Sequence, residues 1–226
     1  MAIVKHSNKG SLIVISGPSG SGKGSICERL KEYNDNFWVS VSCTTRKPRI
    51  GDEEGITYFF KSKKEFLKGI ENDEFLEYAK YNDEYYGTPK NEIKKHLDKG
   101  IDVILEIEVQ GALQIKKLLP NAVFIFIMPP SMEILLKRLK NRATDDNSKI
   151  IKRFRRAYQE INEFTKYNYI VVNDELDVAT KKVNSIMEAS KCMVDRIEDI
   201  YLNNSEEKIH ELLIENKIFV NEDINI

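Results

Sequence analysis

Ser16-Gly17-Pro18-Ser19-Gly20-Ser21-Gly22-Lys23-Gly24-Ser25 follows the uncharged apolar run Leu12-Ile13-Val14-Ile15 and precedes a helical face made by Ile26, Cys27 and Leu30. A short β-branched run of this kind reads as a buried strand of a parallel sheet, so the glycine-rich stretch lies between a strand and a helix. In that context Gly17-x-x-x-x-Gly22-Lys23 has the spacing of a phosphate-binding loop. Glycines let backbone N–H groups turn inward, the helix N-terminus adds partial positive charge, and Lys23 supplies a mobile full charge. The stretch therefore predicts a cradle for a polyphosphate, against the plainer alternative of a Gly/Ser turn with a surface lysine.

A chain of 226 residues is long enough for one α/β domain with insertions. Its 35 basic and 36 acidic residues leave no overall field that would draw it to nucleic acid or a membrane. The charge is unevenly spread: residues 137–156 carry nine basic and two acidic side chains, whereas residues 195–226 carry three basic and nine acidic. Cys27, Cys43 and Cys192 are odd in number and follow no metal-ligand spacing, which predicts reduced thiols in a cytosolic protein. No apolar stretch suits a signal peptide or a membrane span, and a cytoplasmic location is expected.

Further along, Phe37 to Cys43 reads as a strand, followed by an irregular loop through Pro48 and Gly51 that carries Arg46 and Arg49. Arginines so placed suit bidentate recognition of a phosphate monoester, and equally a solvated basic loop. Ile56 to Phe60 reads as a strand, Ser62-Lys63-Lys64-Glu65 as a capping box opening a helix to about Ile70, and Glu74 to Tyr81 and Tyr85-Tyr86 as strands about the turn Asn82-Asp83. Pro89 starts a helix that stops at Gly100, and Val103-Ile104-Leu105 is a buried strand ending in Glu106-Ile107-Glu108. Carboxylates at the carboxyl end of a strand beside a phosphate loop suit Mg²⁺ and its waters, or are ordinary strand-end charges.

Gln110 to Leu119 reads as a helix and Val123 to Met128 as a core strand, with Ser131 capping the next helix. Arg138, Arg142 and Arg153 bracket the polar segment 143–148, which reads either as a mobile lid carrying arginines to transferring phosphates or as a surface hairpin. Tyr169 to Val172 is a fourth core strand, ended by Asn173-Asp174. After it Val183, Ile186, Ser190, Val194, Ile197 and Tyr201 fall on one face of a long predicted helix.

Over roughly residues 10–202 the chain resembles guanylate kinase. Besides the loop, the strings are Ser40-Val41-Ser42-Cys43-Thr44-Thr45-Arg46-Lys47-Pro48-Arg49, Gly55-Ile56-Thr57-Tyr58-Phe59-Phe60, Phe75-Leu76-Glu77-Tyr78-Ala79, Tyr85-Tyr86-Gly87-Thr88, Glu106-Ile107-Glu108-Val109-Gln110-Gly111 and Val171-Val172-Asn173-Asp174. The resemblance implies a three-layer α/β phosphate-loop fold with a parallel core sheet (residues 1–38, 89–131 and 159–204). It also implies an inserted mixed α/β GMP-binding domain (39–88) and a mobile lid (132–158). Residues 205–226 are an acidic extension beyond the usual family end.

The implied activity is transfer of the ATP γ-phosphoryl group to GMP, with dGMP a further expected acceptor and Mg²⁺ as cofactor. By resemblance Gly17, Pro18, Ser19, Gly20, Ser21, Gly22, Lys23, Gly24, Ser25, Arg138 and Asn173 would bind ATP. Arg46, Arg49, Tyr58 and Tyr86 would hold the GMP phosphate, Ser42, Glu77 and Thr88 would read guanine, and Glu106 and Glu108 would lie at the GMP site. Lys23, Arg46, Arg142 and Arg153 would carry catalysis. Nucleic acid and membrane are not expected partners, and a monomer or homodimer is expected.

Two departures accompany the match. Gly24 stands where a Ser or Thr commonly reaches Mg²⁺, so the ion would be held by phosphate oxygens and water, with Glu106 a candidate through water and no direct protein ligand. Glu106 and Glu108 replace Asp residues found in many members and reach one methylene further. The competing readings are a non-catalytic guanylate-kinase-like module that binds phosphopeptides, and a kinase acting on another phosphorylated acceptor. The intact Lys23 loop and the joint presence of Ser42, Glu77 and Thr88 argue against them.

Overall fold

Leu12–Ser16 sends Ile13 and Ile15 to one side and Val14 to the other, and all three are fully buried. A strand covered on both faces needs helices above and below, which is the arrangement found in the computed structural model. The structure describes residues 4–81, 83–141 and 147–200. In chain order the elements are β1 (Val4–His6), β2 (Leu12–Ser16), α1 (Lys23–Leu30), β3 (Phe37–Val39), β4 (Cys43–Thr44), β5 (Phe59–Phe60) and α2 (Lys63–Glu71). They continue with β6 (Phe75–Tyr81), β7 (Glu84–Pro89), α3 (Lys90–Asp98), β8 (Asp102–Glu106), α4 (Val109–Leu118), β9 (Val123–Met128) and α5 (Met132–Asn141). The last are α6 (Asn147–Ile161), β10 (Tyr169–Val172), α7 (Leu176–Ser190) and β11 (Ile197–Ile200).

Residues 8–190 form one compact unit. Its core sheet has the order β10-β9-β2-β8-β3, parallel throughout. On one face Ile26 and Leu30 of α1 and Val183 and Met187 of α7 pack against Ile13, Ile15, Ile104 and Ile125. On the other, Ile93 of α3 and Ala112 and Ile115 of α4 pack against Val14, Val103, Leu105 and Phe124. The chain runs from β2 outward to β3, returns to β8, and only then crosses to β9. The carboxyl end of β2 is therefore a topological switch point, where open parallel sheets leave a crevice for ligands.

A second sheet, β5-β4-β7-β6, is mixed: β4 runs parallel to β5 and antiparallel to β7, and β6 pairs antiparallel with β7. Helix α2 covers it. Its predicted capping box is present, with Ser62 Oγ accepting from the Glu65 amide at 3.2 Å and the Glu65 carboxylate accepting from the Ser62 amide at 2.8 Å. Phe66 from α2 is fully buried, stacked on Phe75 at 4.4 Å between ring centroids and on Tyr85 at 5.4 Å. Cys43 completes this small core.

Three expectations fail. Residues 37–43 are not one strand: β3 pairs with β8 of the core sheet, whereas β4 pairs with β5 and β7 of the other, so the apolar run is the crossing between two sheets. Of residues 56–60 only Phe59 and Phe60 form a strand, because the Glu53 carbonyl accepts the amides of Ile56 and Thr57 and closes a turn. The helix expected through Tyr201 ends at Ser190, whose hydroxyl donates back to the Met187 carbonyl. Beyond it β11 pairs antiparallel with β1, which the sequence reading did not foresee. These two strands belong to a separate unit, residues 1–7 and 191–226, of which 4–7 and 191–200 are described. Tyr201, Arg142 and the extension 205–226 lie outside the described residues.

Phe66→Ala removes the centre of the small core, and a loss of about 3–5 kcal/mol is expected, read as a lower denaturant midpoint. A change under about 1 kcal/mol would mean that this sheet does not depend on the aromatic stack.

Candidate active site

The glycine-rich loop is shaped by contacts that leave no room for side chains. At Gly17 (φ 144°) a Cβ would stand 2.3 Å from the Ile127 carbonyl oxygen, and at Gly22 (φ 92°) 2.2 Å from Asn173 Nδ2. Gly22 is also the N-cap of α1, so the loop turns directly into the helix N-terminus. The Ser21 carbonyl accepts from Asn173 Nδ2 at 2.8 Å and from Arg138 at 3.4 Å, while a second Arg138 nitrogen donates to the Asn173 carbonyl at 3.0 Å. Asn173 at the end of β10 and Arg138 on α5 thus brace the loop from behind. Lys23 Nζ donates to the carbonyls of Gly17 at 2.7 Å and Pro18 at 3.3 Å, curled over the loop. Those contacts are exchangeable for an anion of higher charge.

From Lys23 a cleft of about 1140 Å³ runs to the second sheet. At its far wall Glu77 of β6 is 9% exposed and accepts from the Thr88 hydroxyl of β7 at 2.6 Å. Burial pushes the Glu77 carboxyl above the usual range, and the Thr88 hydrogen bond opposes this. Gly111 of α4 has no side chain to intrude, since a Cβ there would lie 2.9 Å from Glu77 Oε2. Ser42, between the two sheets, lines the same cleft.

Arg46 reaches the Asp52 carboxylate at 2.9 Å and lies over the rings of Tyr58 (5.2 Å) and Phe60 (5.9 Å). Asp52 also accepts the Arg49 amide at 2.6 Å. That backbone bond first, and Arg46 after it, hold the Asp52 carboxyl below its usual range against the opposing effect of burial. Tyr58 and Tyr86, both on the cleft, meet edge to face at 5.9 Å. Burial, then the neighbouring Tyr86, pushes the Tyr58 hydroxyl up, keeping it a protonated donor.

Glu106 ends β8 and faces the loop, its Oε1 3.4 Å from where a Cβ on Gly24 would be. Glu108 lies two residues on, just before α4, and Arg153 and Arg156 of α6 line the same cleft. Trp38 of β3, another lining residue, stacks on His96 of α3 at 4.2 Å with the rings 2° from parallel.

The arrangement brings Lys23 of the glycine-rich loop, Tyr58 and Tyr86 with Arg46 beside them, and the buried Glu77 carboxyl around a common space. The family model described as Guanylate kinase matches residues 9–190. This chain belongs to the guanylate kinase family. It is 54% identical over 201 residues to the guanylate kinase of Caldanaerobacter subterraneus subsp. tengcongensis, covering 89% of this chain and 98% of that protein. It is also 54% identical over 205 residues to the guanylate kinase of Clostridium tetani, covering 91% and 98%. The crystal structure of guanylate kinase from Anaplasma phagocytophilum matches with a TM-score of 0.71 and 31% identity over 98% of this chain and 100% of that one. The match to the guanylate kinase model coincides with the compact unit and leaves out β1 and β11.

Of the expected site residues, Ser19, Lys23, Gly24, Ser42, Tyr58, Glu77, Tyr86, Glu106, Glu108 and Arg153 line the cleft. Arg46 and Thr88 contact the lining residues Tyr58 and Glu77, and Arg49 and Ser25 are exposed. Asn173 and Arg138 are both engaged with the loop backbone, and Arg138 also with the Asn173 carbonyl. The sequence reading missed Asp52, which sets Arg46, and Arg156. Asp52 closes the turn that begins at Arg49, and an Asp three residues after an Arg in a Pro/Gly loop is the signal that was there to read.

Gly22→Ala is expected to destabilise the loop by about 1–2 kcal/mol from the left-handed backbone alone, and to push Asn173 off Ser21. A raised KM for ATP with a lower melting temperature is the expected readout.

Proposed function

We propose a division of labour among these residues for the reaction that characterises the guanylate kinase family, transfer of the γ-phosphoryl group of ATP to GMP. The observation that carries the proposal is Glu77: a buried carboxylate, paired to Thr88, in the same cleft as Lys23 of the phosphate loop. A guanine edge presents N1–H and an amino group, and one carboxylate accepts both, whereas adenine lacks that donor pair and would leave Glu77 partly unpaired in a buried site. Ser42 supplies a further hydroxyl at the base.

Arg46 and Arg49, with the hydroxyls of Tyr58 and Tyr86, take the GMP phosphate. Asp52 and the two aromatic rings hold Arg46 at a fixed angle, which limits the ordering needed when the anion arrives. The loop amides and Lys23 take the ATP phosphates. Arg153, and Arg142 from the lid range, offset the charge that spreads over the transferring group, while Arg138 and Asn173 act on ATP through the loop they brace. The nucleophile is a phosphate oxygen of GMP, so no side chain is needed as a nucleophile. The protein's part is alignment, exclusion of water and charge neutralisation.

Mg²⁺ fits the oxygen donors present. Glu106 faces the loop beside Gly24 and would hold the ion through water, where the metal would neutralise charge on the phosphates. ATP and GMP as substrates suit a cytoplasmic enzyme. Among the described residues no helix is long and apolar enough to cross a membrane.

A coupled ADP-release assay with GMP, AMP, CMP and UMP should show GMP-selective turnover. Glu77→Gln is expected to lower kcat/KM for GMP roughly a hundredfold or more, since a carboxamide presents one donor where two acceptors are needed. AMP turnover that matched GMP in the wild type would sink the assignment of Glu77.

The pH dependence has a definite sign. Glu77 is raised, so it takes up a proton at a higher pH than an ordinary glutamate, and GMP binding should weaken on acidification already above the usual carboxylate range. The same group contributes to stability fully below its unfolded pKa, and that contribution is lost as pH rises through its raised folded value. The Glu77→Gln variant should lose this step in KM for GMP.

A further inference from the structure

Arg156 has no part in the assignments above, yet it joins two elements at the wall of the cleft. Its Nε donates to Glu160 Oε1 at 2.7 Å, one turn along α6, and its terminal nitrogen approaches Glu108 Oε2 at 3.6 Å. Glu160 is 7% exposed, and its second oxygen, Oε2, is buried without a hydrogen-bond partner. Burial and the nearby Glu108 push its carboxyl up, while Arg156 pulls it down. One guanidinium therefore serves a covered carboxylate on its own helix and a cleft carboxylate on the segment that leads from β8 into α4. Arg153, three residues earlier, stands on the same side of α6 and lines the same cleft.

We infer that Arg156 is a positioning residue for phosphoryl transfer: bridging Glu160 and Glu108, it fixes helix α6, and with it Arg153, against the cleft and offsets the charge of Glu108 where two phosphate groups must meet. Without it Glu108 would face the incoming anions with its full charge, and α6 would lose its tie to the β8–α4 segment. A fork-shaped cation is suited to this, since it engages two carboxylates from different directions at once. The length of Glu108 matters too: the pair already spans 3.6 Å, and an aspartate, one methylene shorter, would fall out of reach.

The inference rests on the phosphotransfer reading, so wild-type GMP turnover is measured first on the full chain. An inactive wild type would overturn both. With an active wild type, Arg156→Ala is expected to lower kcat roughly tenfold or more, with KM for GMP and ATP within about threefold. Arg156→Lys should recover part of kcat, because it keeps the charge but pairs with one carboxylate at a time. Glu108→Gln added to Arg156→Ala should also recover part of kcat by removing the exposed charge. Wild-type kcat in Arg156→Ala, at an unchanged melting temperature, would overturn the inference. So would a loss of kcat that neither the lysine nor the Glu108→Gln change restores. Should Arg156→Ala fail to fold, Glu108→Asp in the wild-type background carries the test: a lower kcat at unchanged melting temperature is expected, and unchanged kcat would overturn the inference.

Discussion

Strand β2 has a partner on each edge and a hydrophobic layer on each face, so the chain that leaves it at Ser16 starts from a point and direction fixed by the whole core. The loop that follows turns in left-handed backbone and closes against Ile127 of β9 and Asn173 just past β10, the two strands on one side of β2. Every anion-directed group of the loop inherits that fixed origin. The same sheet delivers Glu106 from β8 on the other side, so the loop and the carboxylate that faces it are set by a single hydrogen-bonded ladder. Preorganisation of this kind matters because the reaction needs dipoles already aimed at charge that develops only in transit.

The second sheet solves a different problem. It covers the Glu77 carboxyl, and a carboxylate is costly to bury. The hydroxyl of Thr88 meets part of that cost, and β6 and β7, paired over almost their whole length, keep the two side chains opposite each other. Arg46 is treated similarly, held between one carboxylate and two aromatic faces. In both places a charged group has part of its partner set filled by the protein.

The elements legible in sequence were those whose information is local. Ile13 to Ile15 announces a buried strand by composition, Gly17 to Lys23 announces its turn by spacing, and Ser62 with Glu65 announces a helix start by reciprocal capping. What failed was non-local. Residues 37–43 look continuous because nothing in them says that the ladder partner changes at Ser40. Val194 and Ile197 fit helical spacing, and only pairing with β1, nearly two hundred residues earlier, makes Ile197–Ile200 a strand. At the site, residue types and spacing pointed to the loop and the arginines, while Glu77 came only with the resemblance to guanylate kinase. The ties of Arg138 and Asn173 to Ser21, of Asp52 to Arg46, and of Arg156 to two glutamates depend on distances that spacing does not encode.

Trp38 is the chain's one tryptophan, and it sits on the cleft wall with one ring face already covered by His96. Its emission therefore comes from a single place, stacked against His96 and adjoining the cleft. The fold thus carries a single indole fluorophore on the wall of the cleft, in a signal to which no other residue contributes a second one.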